Sequence, residues 1–290
     1  LRERRTGRIY FIFTMKILIT GASGFIGGAI VKRLQINSTV ELICTTRHKS
    51  EASEKNIFFD LFSTNFEDNL LLKFGSPDLV LHCAWGNVKK INSLKHLDTE
   101  LSYHMRFIEN LARNGAKKIV VLGSCFEYGK QNGEVNENQI PNPNTTYAVA
   151  KDTLRRYIEF LNIKYEFDFQ WLRIFYVYDE TGLEGSNIIS LLKKAVDRGD
   201  KVFDMSLGEQ CLDYTELKEL SQMIEKIILQ NKFNGIINCC SGKPIMVNEL
   251  IQKSLKKWDR KINFNRGKYP YREFESLLIW GNRNLYKKIQ

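Results

Sequence analysis

Tyr147 and Lys151 stand four residues apart in "TYAVAK", a pairing and spacing that can do proton chemistry. On a helix, residues i and i+4 share a face, so the ammonium sits one turn from the phenol. A free phenol titrates near ~10, too high for easy proton exchange at neutral pH. A neighbouring positive charge favours the phenolate, as does the N-terminal end of a helix dipole at Tyr147. The pair is therefore expected to present a tyrosine of lowered pKa that exchanges a proton with a carbonyl or hydroxyl oxygen. Ser124 in "GSCFEYG" can hydrogen-bond the same oxygen and align it. Alone, Tyr147 and Lys151 also fit an ordinary helix surface; what lies upstream decides between the two.

Upstream, the apolar run Ile17–Thr20 leads straight into Gly21-Ala22-Ser23-Gly24-Phe25-Ile26-Gly27 and then an amphipathic stretch to Leu34. Gly21 allows a tight turn, Gly24 lets backbone approach a pyrophosphate, and Gly27 lets the helix lie close to the strand. Ser23, Phe25 and Ile26 complete the turn, whose open N–H groups face an anion at the helix N-terminus. The spacing is G-x-x-G-x-x-G, not the commoner G-x-G-x-x-G.

The elements that must carry these groups alternate. Val40–Thr46, Asn56–Asp60, Asp78–Ala84 and Lys117–Ser124 read as strands, and Leu94–Asn114 as a long helix stopped by Gly115. Near-continuous apolar strands separated by helices predict an α/β fold: a doubly wound parallel sheet of Rossmann type. A polar loop is expected over 129–146, a helix over Tyr147–Leu161, and one strand over Phe169–Tyr178. Later come helices near Ile188–Val196, Glu216–Leu229 and Val247–Trp258, and a strand at Gly235–Cys239. The expected organisation is an extension over 1–14, a dinucleotide-binding domain over 15–175 and a smaller, interleaved substrate-binding region over 176–290. About 213–240 of that region should rejoin the first domain.

Bulk properties narrow the classes. A hydrophobic fraction of 43% with 12% aromatics is that of a globular chain. The net charge of +10 owes +3 to the residues before Met15, which reads as the natural start; the rest is spread out, densest from Lys253 to Lys261. Such a run reads first as a solvated helix face, with nucleic-acid binding the minor reading. Six cysteines without a C-x-x-C pair and four scattered histidines give no metal spacing. Free thiols in apolar runs suit a reducing cytosol, and no apolar run reaches membrane-spanning length. The start "LRERRTGRIYFIFTMKILIT" mimics a secretion signal, but its apolar stretch is expected to be the first strand of the glycine motif.

"TGASGFIG" resembles the cofactor motif of the extended short-chain dehydrogenase/reductases, the branch that modifies nucleotide sugars. That family implies further motifs, and they follow in order. An acid after the third strand, contacting adenine, matches Asp60, with Leu61 beside it. A His-x-Ala motif lining the cofactor matches His82, Ala84 and Trp85 in "HCAW". An asparagine in the next helix matches Asn110. A serine four residues before Tyr-Gly matches Ser124, and Tyr-x-x-x-Lys matches Tyr147 and Lys151. By the resemblance Lys151 also holds the nicotinamide ribose, and the family often forms homodimers through the two long helices.

At the end of the second strand, Thr45-Thr46-Arg47-His48 contains no acid. An acid there would bind a ribose 2′-hydroxyl and repel a 2′-phosphate. Thr46 and Arg47 therefore point to NADP(H), with NAD(H) as the alternative. The resemblance also separates reactions. Dehydratases of the family carry an Asp/Glu pair where this chain has Cys125 and Phe126, so dehydration is not expected. Cys125 reads as a packed thiol, and Glu127 as an exposed or lysine-paired carboxylate. A bare Ser-Tyr-Lys set suffices to reduce a 4-keto sugar, or to epimerise one with a retained cofactor. "FQWLRIFYVY", "NCCSGKPI" and "YPYREFESLLIWG" are similar to reductases of nucleotide-linked 4-keto-6-deoxyhexoses.

The substrate implied is a nucleotide-diphosphate-sugar, with Gln210 and Arg272 as candidate contacts beside Ser124 and Tyr147. Two family features are missing: Tyr176 stands where an asparagine is usual, and the arginine that often meets the diphosphate is absent between Gln210 and Asp213. Lys268 or Arg272 are its candidate replacements. Some members of the family only bind RNA or sense redox state, but those tend to lose the tyrosine or lysine kept here.

Overall fold

The structure is a computed structural model that describes residues 14–289. All but the last residue of the expected N-terminal extension therefore lies outside the described residues. Along the chain, β1 (Met15–Thr20), α1 (Phe25–Leu34), β2 (Val40–Thr46), β3 (Asn56–Phe58), α2 (Leu70–Lys73), β4 (Leu79–His82), α3 (Leu101–Arg113) and β5 (Lys118–Ser124) alternate. They are followed by β6 (Asn132–Val135), α4 (Thr146–Tyr165), β7 (Asp168–Ile174), β8 (Tyr176–Tyr178), α5 (Ile188–Asp197) and β9 (Val202–Asp204). Next come β10 (Cys211–Leu212), β11 (Tyr214–Glu216), α6 (Leu217–Leu229) and β12 (Gly235–Cys239). The chain closes with β13 (Ile245–Met246), α7 (Val247–Trp258), β14 (Asn263–Asn265), β15 (Leu278–Gly281) and α8 (Asn284–Ile289).

Seven strands form one sheet in the order β3-β2-β1-β4-β5-β7-β12, every neighbour parallel. This is the doubly wound Rossmann-type sheet. Strand alternation explains its two faces. Ile17 and Ile19 of β1 pack with Ile30 and Leu34 of α1 and with Ile224 and Ile227 of α6. Leu18 points the other way, to Phe107 and Leu111 of α3 and Leu154 and Ile158 of α4. Each such side chain, fully buried, contributes about 1.5–3 kcal/mol. A third core, with Tyr128, Phe175, Ile189, Leu250 and Ile279, lies under the later elements.

Several boundaries differ from expectation. The polar loop over 129–146 contains β6, which pairs in parallel with β15 and extends the four-stranded sheet β13-β10-β15-β6. The expected strand Phe169–Tyr178 breaks at Phe175, whose N–H turns to Cys239 O, and β8 then leaves to pair with β11. The third strand ends at Phe58, because the Asp60 carboxylate caps a following turn by accepting from Phe62 N at 3.2 Å. The long helix begins as one wide π-type turn, His96–Glu100, before α3. All-parallel pairing brings the C-terminal ends of β1, β2, β4 and β5 to one edge of the sheet, and the site is built there.

Candidate active site

At the end of β1, Gly21 takes φ +70, a conformation favouring glycine. A Cβ there would meet Ala84 N at 2.7 Å, so the Cys83–Ala84 backbone passes directly against the turn. A Cβ on Gly27 would lie 2.2 Å from Gly21 O, which is why α1 can start so close to β1. Gly24 is the N-cap of α1 and offers no side chain to its first turn, so those N–H groups stay open to an anion. Ser23, Gly24, Phe25, Gly28 and Lys32, with Glu184 and Gly185 opposite, line a cavity of about 480 Å³. A glycine cradle, an uncapped helix start and this cavity fit a dinucleotide pyrophosphate.

Ser124 ends β5 and opens a short turn. Its Oγ accepts from Phe126 N at 3.2 Å, and its own N–H donates to Glu127 Oε1 at 2.7 Å. Thr145 caps α4 by accepting from Ala148 N, which sets Tyr147 and Lys151 in the first turns of the helix. Both are buried, 8% and 3% exposed. Lys151 Nζ donates to Leu122 O at 2.8 Å and lies 4.0 Å from the centre of the Trp85 ring, against 5.9 Å for the Tyr147 ring.

The expected lowering of the Tyr147 pKa is not found. Burial pushes the phenol up, the Glu127 carboxylate adds to the rise, and the Ser124 hydroxyl pulls back only in part. The lysine moves instead: burial brings its ammonium down to about 7, against the pull of Glu127, Cys83 and Glu100. The reason is geometric, since the ammonium faces a carbonyl and an indole rather than the phenol. At neutral pH Tyr147 is a protonated donor.

Glu127 is neither exposed nor lysine-paired. It is fully buried, ion-paired to Arg173 Nε at 2.9 Å and receives Trp171 Nε1–H. Cys125 is a packed thiol in the third core, pushed up by burial. All six cysteines are free. Among the described residues no cluster fit to hold a metal ion appears.

The tetrapeptide at the end of β2 has no acid, but the next turn supplies one: Thr46 Oγ1 donates to Glu51 Oε2 at 2.7 Å. Arg47 is exposed beside it. Asp60 reaches the same sheet edge with its carboxylate engaged at Phe62 N, and Leu61 is buried in the core. Asn110 ties α3 to the segment before α2, accepting from Leu70 N and donating to Phe66 O and Asp68 O.

On the other side of Ser124, Phe126 packs edge-on against Tyr176, which tilts against Tyr214. Arg272 is mostly exposed, pairs with Glu275 at 3.5 Å, and faces this aromatic group, where its charge opposes the rise that burial gives both tyrosines. Gln210 is instead engaged with Ser206 Oγ and, through its carbonyl, with Val247 N. Lys268 is exposed. Asp213 organises the adjacent turns, accepting from Ser241 N, Gly242 N and Gly281 N.

Sequence reading missed Glu51, Glu100, His96 and His104, which fold back onto the site. His82, His96 and His104, three of the four histidines, gather around Trp85. Glu100 and His104, four apart on a helix, were the one legible signal.

The sequence pattern of the NAD dependent epimerase/dehydratase family matches residues 17–240. The chain is 30% identical, over 92% of its length and 99% of the relative's, to a dTDP-6-deoxy-L-talose 4-dehydrogenase (NAD(+)) from Aggregatibacter actinomycetemcomitans. It is 27% identical to a putative UDP-glucose 4-epimerase from Methanocaldococcus jannaschii, over 81% of this chain and 79% of that one. Its fold matches a UDP-N-acetylglucosamine 4-epimerase from Methanobrevibacter ruminantium M1, solved in complex with UDP-N-acetylmuramic acid. That match has a TM-score of 0.80 at 22% identity and covers 96% of this chain and 92% of that one.

Proposed function

The chain belongs to the NAD-dependent epimerase/dehydratase family, and from that premise we propose that it catalyses reversible oxidoreduction at C4 of a nucleotide-linked 6-deoxyhexose, written here as reduction of the 4-keto sugar. The observation that carries this is the buried Ser124–Tyr147–Lys151 set at the same sheet edge as the glycine cradle, with Cys125 and Phe126 following Ser124 where a dehydratase of the family would carry its acid pair. The relative that acts as a 4-dehydrogenase, matched along nearly its whole length, supports the same carbon and the same oxidation step.

When bound, a nicotinamide dinucleotide would supply or accept the hydride. The chain's residues do the rest. Ser124 Oγ hydrogen-bonds the sugar oxygen, and Tyr147 Oη, protonated at neutral pH, delivers the proton as the carbonyl is reduced, the phenolate then being stabilised by the Ser124 hydroxyl and the Lys151 ammonium 5.9 Å from its ring. Lys151 fixes the ribose side of the pocket with a charge that titrates near neutrality. The turn at Gly21–Gly27 would hold the pyrophosphate.

Glu51 on Thr46 shifts the proposed cofactor from NADP(H) to NAD(H), because a carboxylate accepts a ribose 2′-hydroxyl and repels a 2′-phosphate. The relative named for NAD(+) agrees. The deciding experiment is a panel of dTDP-, CDP- and GDP-linked 4-keto-6-deoxyhexoses with NADH and NADPH, for wild type and Glu51→Gln. Oxidation of NADH with one member is expected, with the NADH preference reduced in Glu51→Gln. Interconversion of UDP-sugars without added cofactor would replace this function with a 4-epimerase.

A further inference from the structure

Lys151 is a buried cation whose immediate contacts are neutral: Leu122 O and the face of Trp85. An ammonium 4.0 Å from an indole centre is a cation–π contact at close range. Whatever orients that indole therefore orients the lysine. Trp85 is itself fixed on several sides. Its ring stacks on His104, with centres 4.3 Å apart and planes within 5°. Its Nε1–H donates to His96 Nδ1 at 3.1 Å, and it meets Tyr147 edge-on at 6.0 Å.

His104 is in turn the middle of a buried polar chain. Thr20 Oγ1 lies 2.7 Å from His82 Nδ1, His82 Nε2 lies 2.7 Å from His104 Nδ1, and His104 Nε2 lies 3.4 Å from Glu100 Oε2. Burial disfavours the charged form of both imidazoles. Two neutral rings allow only two proton orders along the chain. In one, His104 would turn a lone pair toward the Glu100 carboxylate, which is repulsive. The other runs Thr20 O–H to His82 and His82 Nε2–H to His104, and leaves the His104 Nε2–H 3.4 Å from the Glu100 carboxylate, an electrostatic contact without hydrogen-bond geometry. Glu100 also accepts from Gly86 N at 3.1 Å and Asn87 Nδ2 at 3.0 Å, the two residues after Trp85. A Cβ on Gly86 would lie 2.1 Å from Glu100 Oε1, so only glycine lets the carboxylate close on this loop.

We infer that Trp85 is a positioning residue for Lys151, and that the buried His82–His104–Glu100 chain is the fixture that holds its indole. Neither Trp85 nor the chain needs to touch the sugar. Glu100 acts on the lysine through two neighbours of the indole, the stacked His104 and the Gly86–Asn87 loop.

The test is a pair of double-mutant cycles read as NADH affinity by calorimetry on the full chain. It needs no sugar, so it stands or falls separately from the proposed reaction. Trp85→Leu is expected to weaken NADH roughly tenfold, the range of a desolvated cation–π contact, with Trp85→Phe recovering most of the loss. In a Lys151→Met background Trp85→Leu should cost almost nothing further. Glu100→Gln should weaken NADH several-fold in wild type and have no added effect beside Trp85→Leu. Additive losses in the first cycle would show that Trp85 does not act through Lys151. Equal losses from Glu100→Gln in both backgrounds would show that the chain does not act through Trp85. Thermal melting of each variant checks folding; if Trp85→Leu unfolds, Glu100→Gln with Lys151→Met forms the cycle, in which the Glu100→Gln loss should vanish in the Lys151→Met background, and an undiminished loss there would overturn the inference.

Discussion

Two cations are buried near Ser124, and they are held in opposite ways. Arg173 is fully buried against an equally buried carboxylate, Glu127, and its guanidinium covers the Tyr128 ring at 4.4 Å. Lys151 has a carbonyl and an indole but, among the described residues, no carboxylate in contact. The arginine cannot lose its proton, and its partner is locked by Trp171 Nε1–H and Ser124 N–H. The lysine sits where burial alone has brought it down to about 7. One pair is a fixed strut that aims Ser124. The other group carries a charge whose presence depends on pH and on what occupies the pocket.

This contrast can be broken from either side. The largest effect belongs to the titrating side. Tyr147→Phe should lower turnover by about 10²–10⁴, the usual worth of a placed proton donor, with NADH affinity nearly unchanged. Retained turnover would mean that the proton comes from elsewhere. On the strut side, Glu127→Gln leaves Arg173 buried and unpaired, and unfolding in urea should show a loss of about 3–5 kcal/mol. The double variant Glu127→Leu with Arg173→Met should recover much of it. If the single and double variants are equally unstable, the pair is not the strut described here.

The smallest effect is a pH slope. An unfolded lysine titrates near ~10.4, so between about 7 and that value the unfolded chain binds a proton that the folded chain does not. Stability contributed by Lys151 therefore rises with pH across this window and is lost as pH falls toward 7. Unfolding measured at neutral and mildly alkaline pH should show that rise in wild type and a flatter profile in Lys151→Met. Identical slopes would place the lysine charge in contact with solvent.

The same contrast marks what the sequence made legible. Ser124, Tyr147, Lys151 and the turn from Gly21 to Gly27 are readable because a helix turn and a strand–turn–helix impose fixed spacings on the groups they present. The central sheet was readable for a similar reason, through apolar strands alternating with helices. Glu127's partner was not, since Arg173 reaches it from two strands on, across the register of β5 and β7. Glu51 escaped notice because a turn after the strand, not the strand itself, brings it to Thr46. The pairing of β6 with β15 joins segments more than a hundred residues apart, and strands of four residues carry little pattern of their own. The lowered tyrosine pKa was a wrong expectation, because spacing along a helix fixes which face Lys151 shares but not which way its ammonium turns.

Hydride transfer to C4 is tested most directly with NADH deuterated at the transferring position and a dTDP-linked 4-keto-6-deoxyhexose, the product being read by NMR. The proposed reduction predicts deuterium on C4 of a single stereoisomer, with one NADH consumed per sugar. Unlabelled product formed without NADH loss, or no product with any nucleotide, would contradict it.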